Sequence, residues 1–234
     1  MIFKRTIYEK LLKWKLQSNG KTALLIEGAR RIGKSTICEE FAKNEYDSYI
    51  LINFADKKRS FTSDMKNVFE KTSDYNEFFQ ALQILTGIKL YERKSVIIFD
   101  EVQKYVPARE MIKFLVQDGR YDYIETGSLI SLKKNSRKIV VPSEEYRIEM
   151  HPMNFEEFLM ANDENEMIEY IKAAYNNKQA LLDPLHRKAM RLFRTYMAVG
   201  GMPQAIDEYI ETGDFELVDN TKKNIINLYR EDLG

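Results

Sequence analysis

The feature that most narrows the choice of fold is an eight-residue segment, Gly28-Ala29-Arg30-Arg31-Ile32-Gly33-Lys34-Ser35. It has the form G-x-x-x-x-G-K-[ST]. It lies between an apolar strand-type run, Thr22 to Ile26, and a helical pattern over residues 34–44 in which Ile37 and Phe41 stand one turn apart. Glycines let the main chain wrap closely around an anion where a Cβ would obstruct the turn. Backbone N–H groups at the start of the following helix then point at phosphate oxygens. In such a P-loop the cradle would run from Gly28 to Thr36. Lys34 would reach the β- and γ-phosphates of a nucleoside triphosphate, and the Ser35 hydroxyl would ligate Mg²⁺. A look-alike just upstream, Asn19-Gly20-Lys21-Thr22, lacks the first glycine and a following helix and reads as a turn.

Further strand-type runs occur at residues 48–54, 95–99, 121–126 and 146–150, with helical periodicity between them at 61–90 and 108–117. Strands alternating with helices imply parallel pairing and helices on both faces of the sheet. Residues 6–17 read as a short amphipathic helix stopped by Ser18-Asn19-Gly20. After Pro152 the pattern turns wholly helical, at 154–161, 164–175, 185–198, 203–211 and 215–230. The expected organisation is therefore an N-terminal helix (1–20), a P-loop core (21–154) and a helical lid segment (155–234). The last helix runs on without a stop signal, so a longer parent chain is expected.

Two more elements belong with the loop. Val96-Ile97-Ile98-Phe99-Asp100-Glu101 is an apolar strand ending in acids. Asp100 there would hold the Mg²⁺ shell and Glu101 would polarise an attacking water; an ordinary strand-to-loop exit is the plain alternative. Glu125-Thr126-Gly127-Ser128 closes the fourth strand. Thr126 or Ser128 would sit near the γ-phosphate, or else cap the next helix. In an open parallel sheet all these residues leave their strands at the same carboxyl edge, where ligands bind.

Charge and composition mainly exclude. Lys and Arg number 36 and Asp and Glu 36, a formal net charge of zero. The whole-protein field thus gives no argument for nucleic acid or an anionic membrane. A single cysteine, Cys38, rules out an internal disulfide and a Cys-rich zinc site, and fits a reducing, cytoplasmic setting. The two histidines, His151 and His186, match no metal-ligand spacing. No run approaches the ~20 apolar residues that span a bilayer. The densest basic run, Lys133 to Lys138, reads as a solvated loop, with DNA phosphate contact as the other reading. Glu156, Glu157, Asp163, Glu164, Glu166 and Glu169 read as a solvated helix face, and the side chains of Arg30 and Arg31 as facing solvent or acids.

Together these residues resemble the AAA+ superfamily of ATPases. The closer resemblance is to a prokaryotic AAA-type family, carried by the Arg-Arg pair in the loop, Asp100-Glu101-Val102-Gln103, Thr126-Gly127-Ser128, Pro152-Met153-Asn154-Phe155-Glu156-Glu157-Phe158 and Gly200-Gly201-Met202-Pro203. The resemblance implies a three-layer α/β sandwich of strand order 5-1-4-3-2, ATP and Mg²⁺ as ligands, and hydrolysis at Glu101. It also implies that Gly201 to Pro203 approach the adenine; a helix break, with Gly ending one helix and Pro starting the next, accounts for the same turn. Members of the family usually carry a further C-terminal domain, and a DNA or protein partner engaged through it, or a homo-oligomer, is the partnership implied. The Gly-Arg that the family often has between the sensor strand and the fifth strand is replaced here by Val141-Pro142-Ser143-Glu144-Glu145-Tyr146, leaving Arg137 and Arg147 as the nearest candidates for an activating arginine.

The reading that follows is Mg²⁺-dependent ATP hydrolysis driving a rearrangement of the lid or of a partner. A nucleotide-gated switch or scaffold with little turnover, in contact with DNA or a protein, is the alternative. The Asp100-Glu101 pair and the long helical segment argue against a small-molecule phosphotransferase. The absence of an Asn-Lys-x-Asp signature argues against a GTPase.

Overall fold

The computed structural model describes residues 2–72, 74–128 and 144–233, with side chains as far as Arg230. The chain divides into two compact units. One comprises residues 7–29 and 34–150, the other residues 1–6, 30–33 and 151–234.

The first unit is built on five parallel strands. These are β1 (Ala23–Gly28), β2 (Ser48–Asn53), β3 (Ser95–Asp100), β4 (Asp122–Ser128) and β5 (Glu145–Met150), arranged in the order β2-β3-β4-β1-β5. That is the expected 5-1-4-3-2 order read from the other edge. The inner strands β3 and β4 are buried at every position, which is why their sequences do not alternate. The edge strand β5 exposes Tyr146, Arg147 and Glu149 and buries Ile148 and Met150.

Among the described residues this unit also holds helices α1 (Ile7–Ser18), α2 (Lys34–Glu45), α3 (Ser63–Lys71), α4 (Tyr75–Thr86) and α5 (Val106–Asp118). The helical stretch read at 61–90 resolves into two elements because each has its own cap. Thr62 accepts a hydrogen bond from the Met65 N–H, and Asp74 accepts from the N–H groups of Asn76 and Glu77. Between helices and sheet, Phe54, Phe61, Phe69, Phe78, Phe99 and Tyr105 meet mostly edge to face. Burial of each such ring is worth roughly 1.5–3 kcal/mol. The lone tryptophan, Trp14, is 3% exposed and donates from Nε1 to Thr22 Oγ1 at 3.2 Å, just ahead of β1.

The second unit contains α6 (Phe155–Ala161), α7 (Asn165–Asn177), α8 (Asp183–Val199), α9 (Pro203–Thr212) and α10 (Phe215–Leu233). Its core holds Met153, Phe158, Val199, Ala205, Ile206 and Val218. Two of the sequence motifs meet here. The Met153 N–H donates to the Gly201 carbonyl at 2.7 Å, and Tyr196 Oη donates to the Met153 carbonyl at 2.9 Å. A Cβ on Gly201 would lie 2.2 Å from the Met153 carbonyl oxygen, so only glycine fits against this backbone. Gly201→Ala is expected to cost this unit about 1–3 kcal/mol by overpacking. A lower melting temperature by far-UV circular dichroism is the readout, and an unchanged melt would refute the argument.

Candidate nucleotide-binding site

In the first unit the loop's flanks have the geometry that anion binding requires. Gly28 ends β1 in register with Ser128 of β4 and Met150 of β5. Lys34 opens α2, whose first-turn N–H groups have no partner within the helix. The Lys34 side chain is 5% exposed as a residue and its Nζ donates to the carbonyls of Gly28 (3.2 Å) and Ala29 (2.7 Å). The ammonium is thus folded back on the loop's own first turn.

Asp100, at the end of β3, is the hub. It is 1% exposed, and a carboxylate so buried needs donors. Oδ1 accepts from Ser35 Oγ (2.7 Å) and Thr126 Oγ1 (2.5 Å), and Oδ2 accepts from Asn53 Nδ2 (2.7 Å). Three strand ends and the start of α2 therefore converge on one carboxylate. Thr126 also accepts from the Glu101 N–H at 3.1 Å, so its hydroxyl ties the two acids together. Glu101 has left-handed backbone angles, φ 57° and ψ 44°, uncommon for a residue with a Cβ. Its Oε2 accepts from Gln103 Nε2 at 2.5 Å. Ser128 is buried at the end of β4, and Thr36 is exposed in the first turn of α2.

Hydroxyl and carboxylate oxygens at 2.7 Å form a hard-oxygen pair of the kind Mg²⁺ prefers. Among the described residues no group of three or more His, Cys, Asp and Glu could hold a metal alone. Mg²⁺ needs no such cage, because phosphates and waters complete its shell. The donor set fits the cation. Cys38 is fully buried beneath this site; burial, and then the Asp100 charge, push its thiol well up, so it is not a reactive thiolate.

In the second unit lie the middle loop residues, Arg30 to Gly33. Arg31 is left-handed at φ 61° and Gly33 at φ 93°, the latter a conformation that favours glycine. Arg31 is exposed, and its Nη1 donates to Gln204 Oε1 at 3.0 Å. Gly200 ends α8 and Pro203 opens α9, as a helix break requires. Glu157 corrects the sequence reading of a solvated acidic face. It is 3% exposed, with Oε1 accepting from Thr6 N–H (2.7 Å) and Thr6 Oγ1 (2.9 Å), and Oε2 from Asn154 N–H (3.1 Å). It stands at the third position of α6, closing a capping box with Asn154.

Next to Thr126 sits Glu125, fully buried, with neither carboxylate oxygen hydrogen-bonded among the described residues. Burial first, and then the charge of Glu145, raise its pKa well above the carboxylate range, against the opposing pull of Arg109. Glu145 is satisfied by Arg109 (3.0 Å) and Arg147 (2.6 Å), which leaves Glu125 neutral. The folded protein therefore binds a proton that the unfolded chain releases near the ordinary carboxylate pKa. Stability from this group is full below that value and falls as pH rises toward the raised folded value. Glu125→Gln is expected to melt at a higher temperature relative to the parent at pH 8 than at pH 5. Parallel pH profiles for the two proteins would contradict it.

Lys133 to Lys138, Arg137 and residues 141–143 lie outside the described residues. Asn53, Gln103, Gln204 and the buried role of Glu157 were not assigned from sequence. Glu157 had a usable signal, the Asn154-x-x-Glu157 spacing of a capping box, and Gln103 stood in the Asp100-Glu101-Val102-Gln103 motif without a role.

Fold and site together define a P-loop α/β nucleotide-binding protein. The chain matches the family model of an AAA domain over residues 20–159, well over half its length, and belongs to that family within the AAA+ superfamily. A search of curated proteins gives no match. Among solved structures, the Walker-type ATPase of Pyrococcus abyssi is similar at 17% identity and a TM-score of 0.54, covering 99% of this chain and 75% of that one. PCH-2 of C. elegans is similar at 12% identity and a TM-score of 0.46, covering 100% and 70%. At such identities the likeness to the Pyrococcus protein is one of fold. No described helix is long and apolar enough to cross a membrane.

Proposed function

We propose that the protein is a cytoplasmic, Mg²⁺-dependent ATPase that couples hydrolysis to a rearrangement of its helical part or of a partner. The observation that carries this is the convergence on Asp100 of Ser35, Thr126 and Asn53, with Glu101 tied to the same threonine. On this reading the main chain from Gly28 to Thr36 and the Lys34 ammonium bind the triphosphate. Ser35 and Asp100 would hold Mg²⁺, which would supply charge neutralisation when bound. Glu101 accepts the proton of the attacking water, oriented by Gln103 and by its own fixed backbone. Thr126 links the two acids, and Ser128 faces the terminal phosphate. Little covalent chemistry is asked of the protein; positioning and preorganised charge do the rest.

One observation favours the second reading, a nucleotide-gated switch with little turnover. Arg147, a candidate activating arginine, is held by Glu145 at 2.6 Å. A homo-oligomer, or a DNA or protein partner, would then be needed to supply activation. Steady-state phosphate release, measured across protein concentration with and without DNA, separates the two. Turnover that rises with concentration supports an oligomeric ATPase, and tight nucleotide binding without release supports the switch. No detectable affinity for any magnesium–nucleoside triphosphate would end both.

A further inference from the structure

The middle of the loop is held by side chains far from it in sequence. Arg5 Nη1 donates to the Ile32 carbonyl at 2.7 Å, and Tyr229 Oη donates to the Arg30 carbonyl at 2.5 Å. Arg5 is itself fixed. Its side chain is 6% exposed, Nη2 donates to the His151 carbonyl at 2.7 Å, and Nε forms an ion pair with Glu157 Oε1 at 3.2 Å. Glu157 in turn is locked by Thr6 and Asn154.

A trans peptide is planar, and its C=O and the next N–H point to opposite sides. A donor on the Ile32 carbonyl therefore turns the Gly33 N–H away from Arg5. A donor on the Arg30 carbonyl likewise turns the Arg31 N–H away from Tyr229. Turn types that differ in such left-handed residues interconvert by flipping one peptide plane. Arg31 and Gly33 are both left-handed, so the planes beside them are the ones whose orientation needs fixing.

We propose that Arg5 and Tyr229 are positioning residues of the P-loop. They hold two peptide planes with the Arg31 and Gly33 N–H groups turned toward the phosphate-binding side, so that the N-terminal arm and α10 set the loop's affinity for a phosphorylated ligand. The inference rests on reading the loop as a nucleotide site and adds a route by which that site is tuned. Linkage makes the effect reciprocal: a ligand that needs the planes in this orientation must also tighten the arm and α10.

Tyr229→Phe removes one hydroxyl and keeps the ring. Arg5→Lys keeps the charge but lacks the planar fork that spans the Ile32 and His151 carbonyls. Mg–ADP affinity by calorimetry is expected to fall about 5-fold in the first variant and about 10-fold in the second. The melting temperature of nucleotide-free Tyr229→Phe is expected to stay near the parent's. Hydrogen exchange gives a readout that a purely structural staple would not move. Mg–ADP is expected to slow exchange in α10 of the parent, and this gain is expected to vanish in Tyr229→Phe while protection of α2 persists. In the nucleotide-free variant, amides 30–33 are expected to exchange faster. Parental affinity and parental α10 protection in both variants would overturn the inference while leaving the nucleotide reading intact. Failure of the parent itself to bind Mg–ADP would overturn both.

Discussion

Replacing Glu101 by Gln is expected to leave Mg–ATP binding at the parental level and to slow hydrolysis at least about 100-fold. The two side chains have the same shape, so what changes is basicity. Glu101 has a backbone pinned by the Thr126 hydroxyl and a carboxylate touched by Gln103, and an amide in its place keeps the first contact and still reaches the second. A general base typically contributes 10²–10⁴ in rate, about 3–5 kcal/mol of barrier. Binding energy invested in phosphate and base should survive intact. Phosphate release under saturating nucleotide, together with a calorimetric titration, makes the measurement. Parental turnover in the variant would move the base elsewhere, while a matched loss of affinity and rate would make Glu101 part of the binding surface.

Lys34→Ala is expected to have the opposite signature. The ammonium is nearly buried and satisfied by two carbonyls of its own loop, an arrangement that a triphosphate would reorganise. A hydrogen bond to a charged group is worth about 1.5–3 kcal/mol, which corresponds to a roughly 10- to 100-fold weaker Kd for Mg–ATP. Turnover should fall with it, because the same cation neutralises charge that develops on the leaving phosphates. Unaltered affinity by calorimetry would remove Lys34 from the binding assignment.

Much of this was legible in the residues, and the reasons differ by element. Inner strands such as β3 announce themselves because a parallel sheet covered on both faces tolerates only an apolar run. The loop is legible because its demands are local: glycine at a left-handed turn and a cation at the start of a helix. Asp100 and Thr126 could be placed because a parallel sheet delivers strand ends to one edge. Asn53 sits at that same edge, yet a lone polar residue ending β2 looks like any strand exit. Arg5 was illegible for a different reason. Its partners are 27 and 146 residues away, and no local pattern marks a guanidinium that will be buried by segments so distant. The acidic run after Pro152 misled because charge density was read ahead of spacing: Glu157 alone falls at the capping position of α6, and it is the one taken inside.

Trp14 gives the molecule a built-in optical reporter. The indole is sealed against the start of β1 and belongs to the sheet-bearing unit, so its emission should sit to the blue and shift to the red only when that unit melts. Ellipticity, by contrast, sums over every helix in the chain. Recording both signals through one thermal ramp therefore resolves which half lets go first, and a lesion in the helical half such as Gly201→Ala should pull the two curves apart.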